Sequence, residues 1–385
     1  MPKKPRKLGS YNPRRIMFGP KQIHTGRLRG VSDVLYAELD NCEVTTAPMP
    51  ASADDARRRY AGAILYIGGG EHIDMWRHFD GPIVVINNIA PEVPFPQVLP
   101  DDLAIGRMAA EHFLRRGFKL FVYSGDDSGF GVLRGRGFVN ALNDAGMAGI
   151  RSTTGRGIKA IDEVEALMAE HPGEPVAVLA CNDWAAHSAI HHAHARGLTC
   201  PDQVAVLGVD NDPLPNSCCF TSISTVETPD YEIGYWAAKL LLRLLNGEPP
   251  PEKPILVPPV GVINRESTDR YATNDPALVR AVSFIENNMQ RSISVDDIAK
   301  AAGKGTTVRT LQRRFREVFG TTMVDALLRA RVDRAKTLIA AGTLSIKEVA
   351  YVTGFANPSH LGSTFLRLEG MTPSDFRKRV KSVSR

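Results

Sequence analysis

Residues 176–212 read "VAVLACNDWAAHSAIHHAHARGLTCPDQVAVLGVDND". Two apolar runs, "VAVLACND" (176–183) and "VAVLGVDND" (204–212), flank a helical segment, "AAHSAIHHAHARG" (185–197). Unbroken hydrophobicity marks strands buried on both faces, and a helix between two such strands marks a crossover in a parallel sheet. Each run ends in a polar cluster, "CND" or "DND". Ligands of open parallel sheets sit beyond the carboxyl ends of the strands, so these clusters are expected at a ligand site.

The same alternation extends in both directions. Strand-like runs occur at "GAILYIGG" (62–69), "PIVVINN" (82–88) and "LFVYSGD" (120–126). Helical patterns occupy "IGRMAAEHFLRRG" (105–117) and "GRGFVNALNDAG" (135–146). After the helical "YWAAKLLLRLL" comes a Pro-rich stretch, 246–276, whose "PILVPPVGVI" reads as a last edge strand and whose "STDRYATND" reads as a linker. Beyond 276 the pattern is wholly helical.

At 385 residues the chain exceeds one ordinary domain. No apolar run is long enough to span a membrane, and no signal-peptide core is present at the N-terminus. The five cysteines (Cys42, Cys181, Cys200, Cys218 and Cys219) lack paired metal spacing and read as reduced thiols of a cytoplasmic protein. Net charge is unevenly divided. Residues 276–385 carry 19 Lys and Arg against 9 Asp and Glu, residues 1–15 carry six basic groups and no acid, and residues 16–275 carry 22 basic against 33 acidic groups. A basic C-terminal part behind an acidic body points to a nucleic-acid partner.

The C-terminal part contains two helix-corner-helix patterns. In "SIKEVAYVTGFANPSHLGSTF" (345–365) Ser345 and Glu348 form a capping box, Gly354 suits a left-handed turn, and Phe355 plugs the corner. Asn357 then caps a helix with Pro358 at its first position, and Leu361, Phe365 and Leu368 form its apolar stripe. Upstream, Ser294 and Asp297 open "VDDIAKAAG", and "TVRTLQRRFREVFG" follows after a turn. Val308, Leu311, Phe315 and Val318 face inward there, which leaves Arg309, Gln312, Arg313 and Arg316 on the outer face for bases and phosphates. One long helix over 322–342 separates the halves. About twenty residues at roughly 1.5 Å each reach about 30 Å, near one turn of DNA at roughly 34 Å.

Residues 276–380 resemble the AraC-type DNA-binding domain through "DDIAKAAG…RTLQRRFREVFGTT", "RAKTLI", "TLSIKEVAYVTGF" and "FLRLEGMTPSDFRK". The resemblance implies base contacts from Arg309, Gln312 and Arg313 in the first unit. In the second it implies contacts from Ser359 and Ser363, with His360 beside them and Arg367 on a phosphate. "GKGTTVRTL" (303–311) is longer than the family's usual turn, and Gly362 and Ser363 are smaller than is common there.

The body resembles the sensor domain of LacI/GalR-type regulators, a two-lobed periplasmic-binding-protein-like α/β fold. "DDLAIGRMAAEHFLRRG", "LRGRGFVNAL", "ACNDWAA", "CPDQVAVLGVDND" and "SISTVETPDYEIGYWAAKLLLRLLNG" carry the likeness, and "GRLRGVSDVLYA" (26–37) matches the first helix. That family holds a sugar between its lobes, and Arg134, Asn182 and Asp210 fall on its contact positions. Their chemistry agrees, since a carboxylate accepts from vicinal hydroxyls, arginine donates in a fork and an amide does both. Trp184 would supply a stacking face, and Gln22, His24 and Trp76 lie in segments expected to face the cleft. Sensor first and AraC-type domain second is the order found in regulators of pentose operons. It implies a D-xylose-responsive activator, acting as a homodimer on paired half-sites of double-stranded DNA and in contact with RNA polymerase.

The expected organisation is a disordered basic tail (1–15), a sensor (16–265), a linker (266–275) and an all-α DNA-binding domain (276–385). The sensor lobes are expected over about 16–117 plus 224–252 and 118–223 plus 253–265. No cofactor, metal site or catalytic group is expected. His187, His191, His192 and His194 read as a solvated helix face. Two alternatives remain: the same architecture answering another sugar or acting as a repressor, and a thiol enzyme using Cys218 or Cys219 with the C-terminal domain for targeting. The latter would need an activated thiolate.

Overall fold

The computed structural model describes residues 14–19, 25–46, 50–68, 70–89, 93–155, 157–273, 275–303, 307–341 and 344–382. In chain order the first elements are β1 (Arg14–Gly19), α1 (Thr25–Glu38), β2 (Cys42–Thr45), α2 (Ala53–Arg59), β3 (Gly62–Leu65), α3 (Gly70–Arg77), β4 (Ile83–Val85) and β5 (Val98–Pro100). Then come α4 (Asp102–Arg115), β6 (Leu120–Ser124), α5 (Gly129–Asp144), β7 (Gly149–Thr153), α6 (Ile158–Glu170), β8 (Val176–Ala180), α7 (Asp183–Ala195), β9 (Val204–Val209), α8 (Pro213–Ser217) and β10 (Ser224–Glu227). The chain continues through α9 (Asp230–Leu245), β11 (Ile255–Val257), β12 (Gly261–Ile263) and a single 3-10 turn (Glu266–Thr268). Seven helices complete it: α10 (Pro276–Asn288), α11 (Val295–Ala302), α12 (Val308–Phe319), α13 (Met323–Ala341), α14 (Ile346–Val352), α15 (Pro358–Glu369) and α16 (Pro373–Ser382).

The chain forms two compact units, Met1–Asp101 with Pro229–Pro258, and Asp102–Thr228 with Pro259–Arg385. The first holds a parallel sheet in the order β2-β1-β3-β4 and a parallel pair, β5 with β11. Its core gathers Met17, Ile73, Trp76, Phe79 and Val85 among others. Arg14 and Arg15, expected in the tail, instead begin β1, where they pair with Cys42 and Glu43 of β2. In that register Arg15 and Glu43 also form an exposed ion pair of 2.9 Å. Residues 1–13 lie outside the described residues.

The second unit carries a six-stranded sheet in the order β12-β10-β9-β8-β6-β7, parallel except for the edge strand β12. Strand order reverses between β6 and β8, a topological switch point of the kind that opens a ligand crevice at the carboxyl ends. The expected crossover near 117 falls at 101–102, because α4 packs closely against α5 of the second unit. A Cβ on Gly106 would lie 2.0 Å from the Arg134 carbonyl oxygen, and one on Gly137 would lie 2.2 Å from that of Leu103. Only glycine permits so close a crossing of two helices. Its result is that the first residue of α4 lies beside the side chain of Arg134. The "PILVPPVGVI" segment gives two strands, β11 in the first unit and β12 in the second, rather than one edge strand.

The C-terminal helices follow the local signals closely. Both capping boxes form, Ser294 with Asp297 and Ser345 with Glu348. Gly354 adopts φ +85°, Phe355 is buried, and Asn357 caps α15 with Pro358 at the first turn. Leu311, Phe315 and Phe319 enter one core with α10 and α11, while Leu361 and Phe365 enter another with α13 and α14. The nineteen residues of α13 are about 28 Å long at roughly 1.5 Å per residue. Gly342 and the turn residues 304–306 lie outside the described residues.

Within the expected linker the described side chains are in part buried. Ser267 and Thr268 are fully buried, and Tyr271 belongs to the apolar core that α10, α11 and α12 build.

Candidate sugar site and nucleic-acid interface

The carboxyl ends of β8 and β9 deliver the side chains that the strand-end reading singles out. Ser128 caps α5, and Arg134 leaves that helix toward the strand ends, 4% exposed. Its Nε donates to Asp102 Oδ1 at 2.9 Å and its Nη1 to the Cys181 carbonyl at 2.5 Å. Nη2 stands 3.3 Å from Asp210 Oδ1, and the guanidinium lies over the Phe130 ring at 4.9 Å. Burial works against the charge on Arg134, but Asp210 and Asp102 outweigh it and hold the group more firmly protonated than an ordinary arginine.

Asp210 occupies strained backbone. Its φ is +109°, and that of Asn211 is +58°. Non-glycine residues in such conformations cost of order 1–3 kcal/mol each and persist where the surroundings overdetermine them. Here the Asp210 amide donates to Val226, and the Asn211 side chain is held between Glu227 and Arg265 at 3.1 and 2.7 Å. The Asp210 carboxylate is 25% exposed, so it meets both Arg134 and solvent. A partly open carboxylate fixed by a buried guanidinium is an acceptor for paired hydroxyl groups.

Asn182 caps α7, its Oδ1 accepting from the Ala185 amide at 2.8 Å. That bond occupies one lone pair of Oδ1, and the amide hydrogens remain as donors for a ligand. Trp184 follows on the first turn of α7, 45% exposed, edge-on to His187 at 6.3 Å. Trp76 departs from expectation. It is fully buried in the core of the first unit, edge-on to Phe79 at 5.3 Å, because the apolar side of α3 faces the sheet. Gln22 and His24 lie outside the described residues.

Two residues that patterns did not reveal support this cluster. Asp102 anchors Arg134, and Asp183 is buried within electrostatic reach of Asp210. Asp183 accepts from the Asp212 amide at 2.8 Å through Oδ2, while its buried Oδ1 has no hydrogen-bond partner among the described residues. Burial, and then the neighbouring Asp210, push its pKa up to about 8. The folded protein therefore keeps this proton between about pH 4 and 8, where the unfolded chain has released it. Stability from this group is complete at low pH and is lost as pH rises toward 8, with a slope approaching about 1.4 kcal/mol per pH unit. Asp183→Asn, which imitates the protonated acid, is expected to match the wild type in urea unfolding near pH 4 and to exceed it by a margin that widens up to pH 8. Parallel stability curves would contradict the assignment.

Thiol chemistry finds no support here. Burial pushes the Cys219 thiol up and the Cys200 thiol up to about 12. His187 Nε2 meets the backbone carbonyl of Cys218, at 3.4 Å, rather than its thiol. Among the described residues no group of three or more His, Cys, Asp or Glu side chains could hold a metal ion. No described helix is long and apolar enough to cross a membrane.

On α12 the residues Arg309, Gln312, Arg313 and Arg316 are all exposed on the outer face. Arg313 is paired with Glu317 at 2.8 Å, and Arg314 with Asp275 at 3.2 Å. On α15 Ser359, His360, Ser363 and Arg367 are exposed. Ser363 Oγ bonds back to the His360 carbonyl at 3.2 Å, His360 stands edge-on to Phe355, and Arg367 is 3.3 Å from Asp325. The first helix thus offers a dense cationic face and the second a polar one.

Residues 110–268 match the periplasmic binding protein-like domain family, and residues 298–379 match a helix-turn-helix domain family. The xylose operon regulatory protein of Escherichia coli (strain K12) is 32% identical over 200 residues, 52% of this chain and 50% of that protein. The protein of the same name from Haemophilus influenzae is 28% identical over 292 residues, 74% of this chain and 75% of that protein. The match therefore spans about half the length of the Escherichia coli relative. Among solved structures, a xylose-binding transcription activator superposes with a TM-score of 0.59 at 24% identity, covering 95% of this chain and 98% of that one. A transcriptional regulator in complex with cellobiose superposes at 0.54 and 20% identity, covering 67% and 86%. At these identities the likeness shows the fold. One chain thus joins a stretch that matches the periplasmic binding protein-like domain family to a stretch that matches a helix-turn-helix domain family, and parts of it are similar to the xylose operon regulatory proteins.

Proposed function

We propose that the chain is a D-xylose-responsive, DNA-binding transcription regulator that activates pentose catabolic genes. The observation that carries this reading is the buried Arg134 fixed against the strained, half-open Asp210 at the strand ends, on the same chain as two helix-turn-helix units. The names of the relatives support xylose as the effector. Sugar is bound by Asp210, Arg134 and Asn182, with Trp184 at the edge. DNA is bound by Arg309, Gln312, Arg313 and Arg316 on one helix and by Ser359, His360, Ser363 and Arg367 on the other. No catalytic role is assigned.

The chain passes between its two units three times, at 101–102, 228–229 and 258–259. In this reading sugar favours one arrangement of the units, and that arrangement lets the DNA domains of a homodimer engage paired half-sites together. Joint engagement raises avidity by roughly a hundredfold or more without new contacts. The DNA-bound activator then contacts RNA polymerase in the cytoplasm.

Isothermal titration of D-xylose, L-arabinose, D-ribose and D-glucose tests the effector. D-Xylose is expected to bind at least tenfold more tightly than the others. A preference for another sugar would replace it, and no binding by any would overturn the sensor reading. Arg313→Ala is expected to cost about 1–3 kcal/mol of specific DNA binding and to relax sequence preference at one position. Unchanged affinity in a mobility-shift titration would remove Arg313 from the interface.

A further inference from the structure

The second unit contains a hydrogen-bonded strap, residues 264–273, that links the strand ends to the first helix-turn-helix. At its start Arg265 donates from Nη2 to Asn211 Oδ1 at 2.7 Å, next to Asp210, and from Nη1 to the Ile223 carbonyl at 2.6 Å. Ser267 Oγ then donates to the Val206 carbonyl at 2.6 Å and accepts from the Ser224 amide at 2.8 Å. The Thr268 hydroxyl meets Ser224 Oγ at 2.7 Å and His112 Nε2 at 2.9 Å.

His112 and Arg116, one turn apart on and just after α4, receive the strap. Arg116 is 6% exposed. Its Nε donates to the Thr268 carbonyl at 3.0 Å, its Nη1 lies 3.3 Å from His112 Nδ1, and its carbonyl accepts from the Ala272 amide at 2.7 Å. One protonation state satisfies this set: a neutral His112 that donates from Nε2 to Thr268 and accepts from Arg116 at Nδ1. Burial holds His112 well below the ordinary histidine range, in agreement.

Arg116 also reaches into the DNA-binding part. Its guanidinium lies 5.7 Å from the centre of the Tyr271 ring. Tyr271 donates to Glu286 of α10 at 2.6 Å and stands edge-on to Phe319 of α12 at 6.3 Å. At the following residue, Gly117, a Cβ would lie 3.2 Å from the Phe319 ring, so α12 packs directly against the end of α4. Arg115 adds an ion pair to Asp333 of α13 at 3.2 Å. The other end of α4 is Asp102, the partner of Arg134.

We infer that Arg116 is a positioning residue for the regulatory response: it clamps strap 264–273 onto α4 and thereby sets the first helix-turn-helix relative to the Arg134–Asp210 site. The inference rests on the proposed sugar-responsive function. Two connections, α4 and the strap, join the same pair of places, so a shift at Asp102 or Asn211 arrives at Tyr271 and Phe319 through ordered groups rather than through a free tether. Arg116 is buried and is not among the proposed sugar or DNA contacts. Its removal should uncouple the two binding events without abolishing either.

The test uses the full-length chain as wild type, Arg116→Lys and Tyr271→Phe. Three quantities are read: D-xylose affinity by calorimetry, and DNA affinity by anisotropy with and without D-xylose. Coupling between sites is typically 5–150-fold. Arg116→Lys keeps the charge but loses the two-sided bridge. It is expected to leave D-xylose affinity within about twofold and to reduce the sugar-dependent change in DNA affinity at least fivefold. Tyr271→Phe keeps the apolar packing, loses the bond to Glu286, and should reduce the same ratio by a smaller factor. A purely structural role would lower both affinities together and leave their coupling intact, which overturns the inference. A full sugar response in Arg116→Lys also overturns it while leaving the proposed function standing. Should Arg116→Lys fail to fold, an undiminished response in Tyr271→Phe overturns it and a diminished one supports it. A wild type whose DNA affinity ignores D-xylose overturns both the function and the inference.

Discussion

Arg134→Ala is expected to eliminate measurable D-xylose binding and to destabilise the second unit by about 3–5 kcal/mol. Removing one member of a buried ion pair typically costs that much, because the remaining charge loses its compensation. Here Asp102, with a side chain 1% exposed, loses the guanidinium at 2.9 Å, and the Cys181 carbonyl loses its donor at the end of β8. Asp210 also loses the cation that holds its carboxylate toward the strand ends. Urea unfolding reads the stability term and calorimetry the binding term. Arg134→Lys should rescue part of the first and little of the second, because an ammonium cannot serve three acceptors in the planar geometry of the fork. Sugar affinity retained in Arg134→Ala would remove Arg134 from the site.

Gly354→Ala is expected to cost at least about 2 kcal/mol in the C-terminal domain and to reduce specific DNA affinity tenfold or more. A side chain at φ +85° is strained by roughly 1–3 kcal/mol on backbone grounds alone. The added Cβ would also lie 2.3 Å from the Met289 carbonyl oxygen, a backbone atom that cannot step aside cheaply. That carbonyl is held by Arg331 Nε at 2.8 Å, while Arg331 Nη2 holds the Arg291 carbonyl at 2.7 Å and its guanidinium faces Phe355. The corner of the second helix-turn-helix is therefore packed onto the segment following α10. A distorted corner disturbs the seat that relates the second helix-turn-helix to the first. Circular dichroism melting reads the stability, and anisotropy on operator DNA reads the function. An unaltered melt would mean the corner tolerates a side chain.

The sequence was most legible where structure is decided locally. Ser294 with Asp297, Ser345 with Glu348, and Asn357 with Pro358 announce helix starts because each motif satisfies its own backbone donors within four residues. The strand runs at 120–126, 176–183 and 204–212 were legible because double-sided burial demands continuous hydrophobicity. Long-range decisions were hidden. Asp102 anchors Arg134 across thirty-two residues, and Arg116 meets Thr268 across 152. Nothing in the local pattern of "DDLAIGRM" or "LRRG" reveals those partners. Trp76 misled for a related reason: an aromatic in a predicted cleft segment reads alike whether it faces a ligand or the sheet, and packing of α3 decided for the sheet. The segment 266–275 is polar enough to read as a tether. Its buried Ser267 and Thr268 show that short hydroxyl side chains serve equally well as internal hydrogen-bonding groups once every one is satisfied.

The central claim, that sugar binding at the Arg134–Asp210 site governs DNA binding by the C-terminal helices, is tested most directly by fluorescence anisotropy. The full-length chain is titrated onto labelled DNA from its own upstream region at fixed salt, with and without D-xylose. Salt must be fixed because phosphate contacts make affinity steeply salt-dependent. Tighter, sequence-specific binding in the presence of D-xylose is the predicted result. Specific binding that is the same with and without D-xylose would contradict it.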